Sequence, residues 1–234
     1  MTARRLDDFR TGARRLSDME DDGGFVADAE LNNYVNEGIA DLHDVRIDAD
    51  DSKLLASNGP LLVTAGGASD KHAWTLPSDF NRLISLHITQ SGQAHPCISA
   101  DPSEYVYWAA NPPAKTAARY YLREEFGTNT KELYLFPSAL TANTIAYTYV
   151  KNPPVLSLDS DTFAGAHDHL EYIETYAAAK CLSKEESDTT ALEFRKEQLK
   201  KRIINATKDV DMSTPRLVRM NRRRGVGYRR GGRI

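Results

Sequence analysis

Apolar residues in this chain recur with a helical period at both ends and with a strand period between them, and this reversal limits the available folds more than any other feature. Over residues 3–21, Leu6, Phe9, Ala13 and Leu16 share one helical face, with Arg4, Arg5, Asp7, Asp8, Arg14 and Arg15 opposite. Asp22, Gly23 and Gly24 interrupt that segment, and Asp28 is placed to cap a second helix striped by Leu31, Val35, Ile39 and Leu42. Residues 1–48 are expected to form a helical hairpin.

From about residue 59 to 151 the period is two. Ile84, Leu86 and Ile88 alternate with Ser85, His87 and Thr89, and Ile145, Tyr147 and Tyr149 with Thr144, Ala146 and Thr148, which predicts strands with one buried face. Segments 119–126 and 132–136 flank Gly127 and Asn129 as a β-hairpin would, and proline at 102 suits the first turn of a short helix reaching Ala109. Residues 152–166, with Pro153, Pro154, Asp159, Asp161 and Gly165, are expected to be a loop.

Helix resumes at His167, striped by Leu170, Ile173, Ala177, Cys181 and Leu182 to about Lys184. After a break at Ser187 and Asp188, a second helix carries Leu192, Leu199, Ile203, Ala206 and Val210, with Thr190 and Glu193 spaced as a capping box. Neither helical pair offers a full core alone. The expected fold class is therefore α+β: a four-helix bundle built from the N- and C-terminal hairpins, with an inserted antiparallel β unit and an extended basic C-terminal arm. The corresponding segments are 1–58, 59–152, 153–212 and 213–234.

The 234 residues are 41% hydrophobic and 27% charged, a globular composition. The net charge of -3 conceals an uneven distribution, because eight arginines and no acid lie beyond Thr214. They are Arg216, Arg219, Arg222, Arg223, Arg224, Arg229, Arg230 and Arg233, and without them 22 basic residues face 33 acidic ones. An acidic body thus carries a basic arm, in which Gly225, Gly227, Gly231 and Gly232 with few apolar residues predict flexibility. Arginine's planar fork suits an acidic protein groove or nucleic-acid phosphates.

Catalytic patterns do not assemble. His167 and His169 flank Asp168 but point about 200° apart on a helix, which does not complete a metal set. Asp159 and Asp161 fit turn and helix-start roles better than an acid/base pair, and Cys97, after His95 and Pro96, reads as core filler. Gly66, Gly67 and the GVGYRRGG stretch lack the strand and helix of a nucleotide fingerprint. Trp74, Tyr105, Tyr107, Trp108, Tyr120, Tyr121, Tyr134, Tyr147 and Tyr149 gather in the β region without interleaved basic residues, which favours packing or a protein interface over base stacking. Cys97 and Cys181 lack metal-type spacing and no apolar run precedes or spans the body, so a soluble, non-enzymatic protein made in a reducing cytoplasm is expected, without cofactor, metal or membrane partner. The pairing state of the two cysteines stays open.

The stretches VADAELNNYVNEGIADLHD, TLPSDFNRLISLHI, ELYLFP, NTIAYTYVKNPPVLSLDSDTF and HDHLEYIETYAAAKCLSKEESD, in this order, resemble the head-to-tail adaptor (connector) proteins of tailed bacteriophages. The resemblance covers about residues 3–212 as a pattern of element order and short motifs. It implies a virion structural protein of the neck, repeated in a dodecameric ring below the portal. Such a ring connects capsid to a tail nozzle or tail-tube protein and continues the channel through which genomic DNA is ejected. It also implies a portal-binding arm, here Arg216, Arg219, Arg222, Arg223, Arg224, Tyr228, Arg229, Arg230 and Arg233. The alternatives are a nucleic-acid-binding protein using the basic tail, or another neck or tail-completion ring protein.

Overall fold

The computed structural model describes residues 2–19, 25–49, 51–62, 72–90, 92–104, 118–125, 130–136 and 144–210. Four α-helices and ten strands lie among them: β1 (Thr2–Arg5), α1 (Leu6–Leu16), α2 (Asp28–Asp48), β2 (Leu55–Leu62), β3 (His72–Thr75), β4 (Phe80–Gln90), β5 (Gln93–Pro96), β6 (Ile98–Ser99), β7 (Arg119–Glu125), β8 (Thr130–Phe136), β9 (Thr144–Lys151), β10 (Thr162–Gly165), α3 (His167–Lys184) and α4 (Thr190–Val210).

The helical stripes read from the sequence form a core. Leu6, Phe9 and Ala13 of α1, Leu31, Val35, Ile39 and Leu42 of α2, Leu170, Ile173, Ala177 and Cys181 of α3, and Leu192, Leu199 and Ile203 of α4 are all buried in one apolar cluster. The four helices do not contribute alike. α3 is packed against each of the other three, whereas α1 and α4 make little contact with each other. Accordingly α3 buries residues all round its circumference, including Tyr172, Glu174 and Thr175. Small residues permit the close approach: a Cβ added at Gly12 of α1 would collide with the Glu174 carboxylate, and one at Gly38 of α2 would lie 3.3 Å from Tyr176.

Two helices end in the same way. Asp18 and Glu186 take left-handed φ values of 58° and 57°. Met19 N–H then returns to the Arg14 carbonyl at 2.9 Å, and Ser187 N–H to that of Leu182 at 3.0 Å. Each is a Schellman closure with an acidic residue where glycine is the low-strain choice. α1 thus stops before the Asp22–Gly24 segment expected to break it, which lies with its neighbours outside the described residues.

The expected bundle with one inserted antiparallel β unit is not the fold. The ten strands form three sheets: β1–β10, β2–β9–β4–β5 and β3–β8–β7–β6. The first lies outside the middle segment altogether. Thr2–Arg5 pairs antiparallel with Thr162–Gly165, two four-residue stretches expected as helix start and loop, because pairing satisfies backbone groups of segments too short to show any apolar period. The other two sheets share a core made by Leu86 and Ile88 of β4, Ile145, Tyr147 and Tyr149 of β9, and Leu133 and Leu135 of β8. They are not wholly antiparallel either, since β6 runs parallel to β7.

Smaller departures have local causes. A register shift between Leu83 and Ser85 in the β4–β9 ladder takes Ile84 off the buried face, and it is 47% exposed. Ala206 is exposed because Ile203 is the last buried residue of α4 among those described. Thr190 is the first helical residue rather than the cap, and its N–H donates to Asp188 Oδ1 at 2.9 Å. Of the helix expected at 102–109, Pro102–Glu104 is a single 3-10 turn and the rest lies outside the described residues, as does the 127–129 turn between β7 and β8.

Candidate functional site

Charged side chains tie the first and last parts of the chain together. Arg4 pairs with Glu174, which is largely buried in α3. Arg10 reaches Asp159 at 2.7 Å and Asp28 at 3.5 Å, and Arg14 reaches Asp28 at 2.6 Å. Tyr172 of α3 donates its hydroxyl proton to Asp41 of α2, and Lys184 pairs with Glu30 at 2.5 Å. Burial and the Asp41 hydrogen bond push the Tyr172 hydroxyl pKa far up.

The segment from Asn152 to Asp161 is held in one shape by four devices. Asn36 Nδ2 donates to the Leu156 carbonyl and the Leu156 N–H donates to Asn36 Oδ1, both at 2.9 Å. The Asp161 carboxylate accepts from the N–H groups of Ser157 and Leu158 at 2.8 Å, which holds its pKa below the ordinary value. Arg10 holds Asp159, and the Asp161 carbonyl accepts from Leu6 N–H at 3.0 Å. Leu156 is consequently buried, while its neighbours Val155 and Leu158 are 72% and 65% exposed. On α4, Phe194 is 67% exposed.

A cavity of about 160 Å³ opens where the helical core meets the sheets, lined by Ile39, His43, Arg46, Lys53, Lys151 and Phe163 among others. His43 is 5% exposed, and burial lowers its pKa against the opposing effect of the Lys151 backbone beside it. Arg46 beside it pairs with Asp51 at 2.8 Å. His169 is also lowered, by burial and then by the charge of Arg46. The same electrostatic neighbourhood therefore touches both histidines.

The residues weighed for chemistry are used structurally. Asp159 and Asp161 anchor the loop, and His167 lies 3.8 Å from Glu171 on its own helix. Burial raises the thiol pKa of Cys97 and of Cys181 to about 11, so neither is an activated nucleophile. Among the described residues no group of three His, Cys, Asp or Glu side chains could hold a metal ion, and no helix is long and apolar enough to cross a membrane. Tyr134, Tyr147 and Tyr149 are buried, Trp74 and Tyr120 pack partly against the sheet core, and Tyr105, Tyr107 and Trp108 lie outside the described residues.

The arm residues Arg216, Arg219, Arg222, Arg223, Arg224, Tyr228, Arg229, Arg230 and Arg233 also lie outside the described residues, beyond the end of α4 at Val210. Sequence reasoning missed Asn36, Glu174 and His43. A signal for Glu174 was present, an acid beside Ile173 and one helical turn before Ala177 of the apolar stripe; Asn36 and His43 look like ordinary surface positions of α2.

Ion pairs that fasten one element to another, a rigid loop presenting apolar side chains and carboxylates committed to turns make up the equipment of a structural assembly protein. A family model described as SU10 adaptor protein matches residues 4–223, and the chain belongs to that family of phage head-to-tail adaptors. Its role is that of a structural adaptor at the junction of phage head and tail. No curated protein matches the chain. The family match runs past the body into the first half of the arm, through Arg216, Arg219, Arg222 and Arg223.

Proposed function

We propose that this adaptor works as one copy of a ring mounted below the portal, continuing the DNA channel toward a tail protein, with residues 213–234 as its portal-binding arm. The observation that carries this reading is the charge division within a member of an adaptor family: eight arginines without an acid in the last 20 residues, against an excess of acids in the body. An acidic wall repeated around a channel repels passing DNA, and basic arms seek an oppositely charged partner. Repetition around a ring lets individually weak arms act together through effective concentration. In this reading the helices of residues 1–58 and 153–212 supply the ring wall.

The test is truncation after Thr214, compared with Arg222→Glu, Arg223→Glu and Arg224→Glu combined. Both changes are expected to leave a folded body; the truncated chain no longer joins DNA-free portals, and the triple glutamate variant docks more weakly through like-charge repulsion. The opposing reading is that the arm binds DNA, which the same eight arginines would favour; neutralising eight phosphates gives a logarithmic salt slope of about -7. Full attachment of the truncated protein to empty portals, with loss of DNA affinity alone, would transfer the arm from portal to DNA.

A further inference from the structure

We propose that neighbouring copies meet head to tail through two different faces: the 153–161 loop of one copy, presenting Val155 and Leu158 beside Asp159, and the outward face of α4 of the next, presenting Phe194 beside Lys201 and Arg202. The proposal rests on the ring reading and names the contact that would build it.

The apolar side chains come first. Val155, Leu158 and Phe194 are among the most exposed large apolar residues described, at 72%, 65% and 67%. The two on the loop are not there through slackness. Leu156 between them is buried, Asn36 grips its backbone from both sides, and Asp161 and Arg10 fix the turn that follows. A loop so restrained holds two apolar side chains in water in a fixed geometry, and fixed geometry lowers the ordering cost of association. On α4, Leu192, Leu199 and Ile203 define the buried side; Phe194, Gln198 and Lys201 fall on the other at helical spacing and all are exposed.

Charge decides which face meets which. The loop face carries Asp159, whose side chain stays 70% exposed while pairing with the mostly buried Arg10, and exposed Asp8 at the adjoining start of α1, which leaves the face acidic on balance. Lys201 and Arg202 are exposed on α4, have no ion partner among the described residues, and outnumber Glu197, the exposed acid that lies between Phe194 and Lys201 on this face. A loop-to-loop contact would bring Asp8 and Asp159 against their own copies, whereas loop against α4 sets acid against base. Placement decides the rest. The loop is anchored on α1 and α2, while α4 packs chiefly on α3 and makes little contact with α1. One copy can therefore use both faces at once, which gives every copy two neighbours and permits closure into a ring.

The test uses the full chain and two sets of exposed substitutions, V155K with L158K on one face and F194E on the other. Assembly is read by sedimentation velocity and native mass spectrometry, for the protein alone and bound to its portal. Each variant is expected to keep the wild-type melting temperature and to associate at least ten-fold more weakly, the first through base against base and the second through acid against acid. The milder L158S and F194S are expected to weaken association in the same direction. An equimolar mixture of the two charge variants is expected to regain species larger than a dimer, because each chain then meets complementary faces on both sides. A mixture that associates no better than either variant alone would overturn the head-to-tail assignment, because a head-to-tail contact leaves the unaltered α4 face of one variant to meet the unaltered loop of the other. Variants that assemble as the wild type does into a multi-copy complex would overturn the contact and leave the ring standing. A wild-type chain that stays single, alone and on the portal, would remove ring and contact together.

Discussion

The helical core and the paired sheets are held in different ways. In the helical core one element, α3, touches every other helix, and its contacts include charged and polar clamps: Arg4 to Glu174, Tyr172 to Asp41 and Lys184 to Glu30. In the sheets the backbone ladders of β4 and β9 run through the centre, and apolar alternation with a stacked Phe80–Tyr149 pair at 5.5 Å fills the space between. The two apolar clusters share no residue. A core centred on one helix concentrates its vulnerability there and draws the two ends of the chain into one unit. The sheet core instead spreads its dependence over register.

The largest test of this contrast is truncation of buried side chains. Leu31 and Leu199 come from opposite ends of the chain but sit in one cluster, at 0% and 1% exposure. Leu31→Ala and Leu199→Ala should each cost about 2 to 5 kcal/mol and lower the same unfolding transition. Leu133→Ala, in the other cluster, should act on the sheets first. Calorimetry in which Leu31→Ala and Leu199→Ala affect separate transitions would show two helical units instead of one.

Glu174→Ala should come next. Removing one member of a buried pair leaves the other unmatched at a cost of about 3 kcal/mol, the low end for such pairs because Arg4 keeps 30% of its side chain exposed. The double variant with Arg4→Ala should recover part of that loss in a chemical-denaturation cycle. Additive losses would show that the pair contributes nothing beyond its separate packing.

A gain is expected where α3 ends. Glu186→Gly removes the strain of a left-handed φ at a non-glycine residue and should raise stability by about 1 kcal/mol, seen as a higher thermal midpoint. No gain would mean that the Glu186 side chain holds the closure in some other way.

A smaller effect is expected from acid. His43 and His169 have folded pKa values below their ordinary 6.5, so the unfolded chain takes up protons first as the pH falls. Stability of the helical core should decline below about pH 6.5 and level off once the folded histidines are protonated as well. Arg46, Lys53 and Lys151 add positive charge around the pair, against Asp44, Asp51 and Asp168. His43→Leu should flatten the decline in pH-dependent melting, and an unchanged slope would remove His43 from the account.

The helices were legible because their apolar period extends over several turns. α3 begins at His167, where the sequence placed it, whereas α2 begins at Asp28 itself, with Ala27 and not the expected Asp28 as the N-cap; the stripes through Leu31, Val35, Ile39 and Leu42, and through Leu170, Ile173, Ala177 and Cys181, are buried. β7, β8 and β9 were legible through alternation and a turn signal. The strands β1 and β10 were not, since four residues such as TARR and TFAG carry no period and owe their form to each other. The loop face was equally hidden: Pro153, Pro154 and two aspartates announce a turn, but only Asn36, Arg10 and Leu6 decide that Leu156 points inward and Val155 outward.

Period, composition and charge order are properties of neighbouring residues, so the chain determined them by itself: helical ends, a strand-rich middle, an acidic body and the arginine arm that accompanies its adaptor family pattern. What required tertiary structure was everything set by distant partners. Glu174 looks like a misplaced acid until Arg4, 170 residues away, lies beside it, and α3 becomes the central helix only when three others have an apolar surface to share. Nor does alternation in a single strand state how many sheets will form; that follows from which edges find partners across the fold.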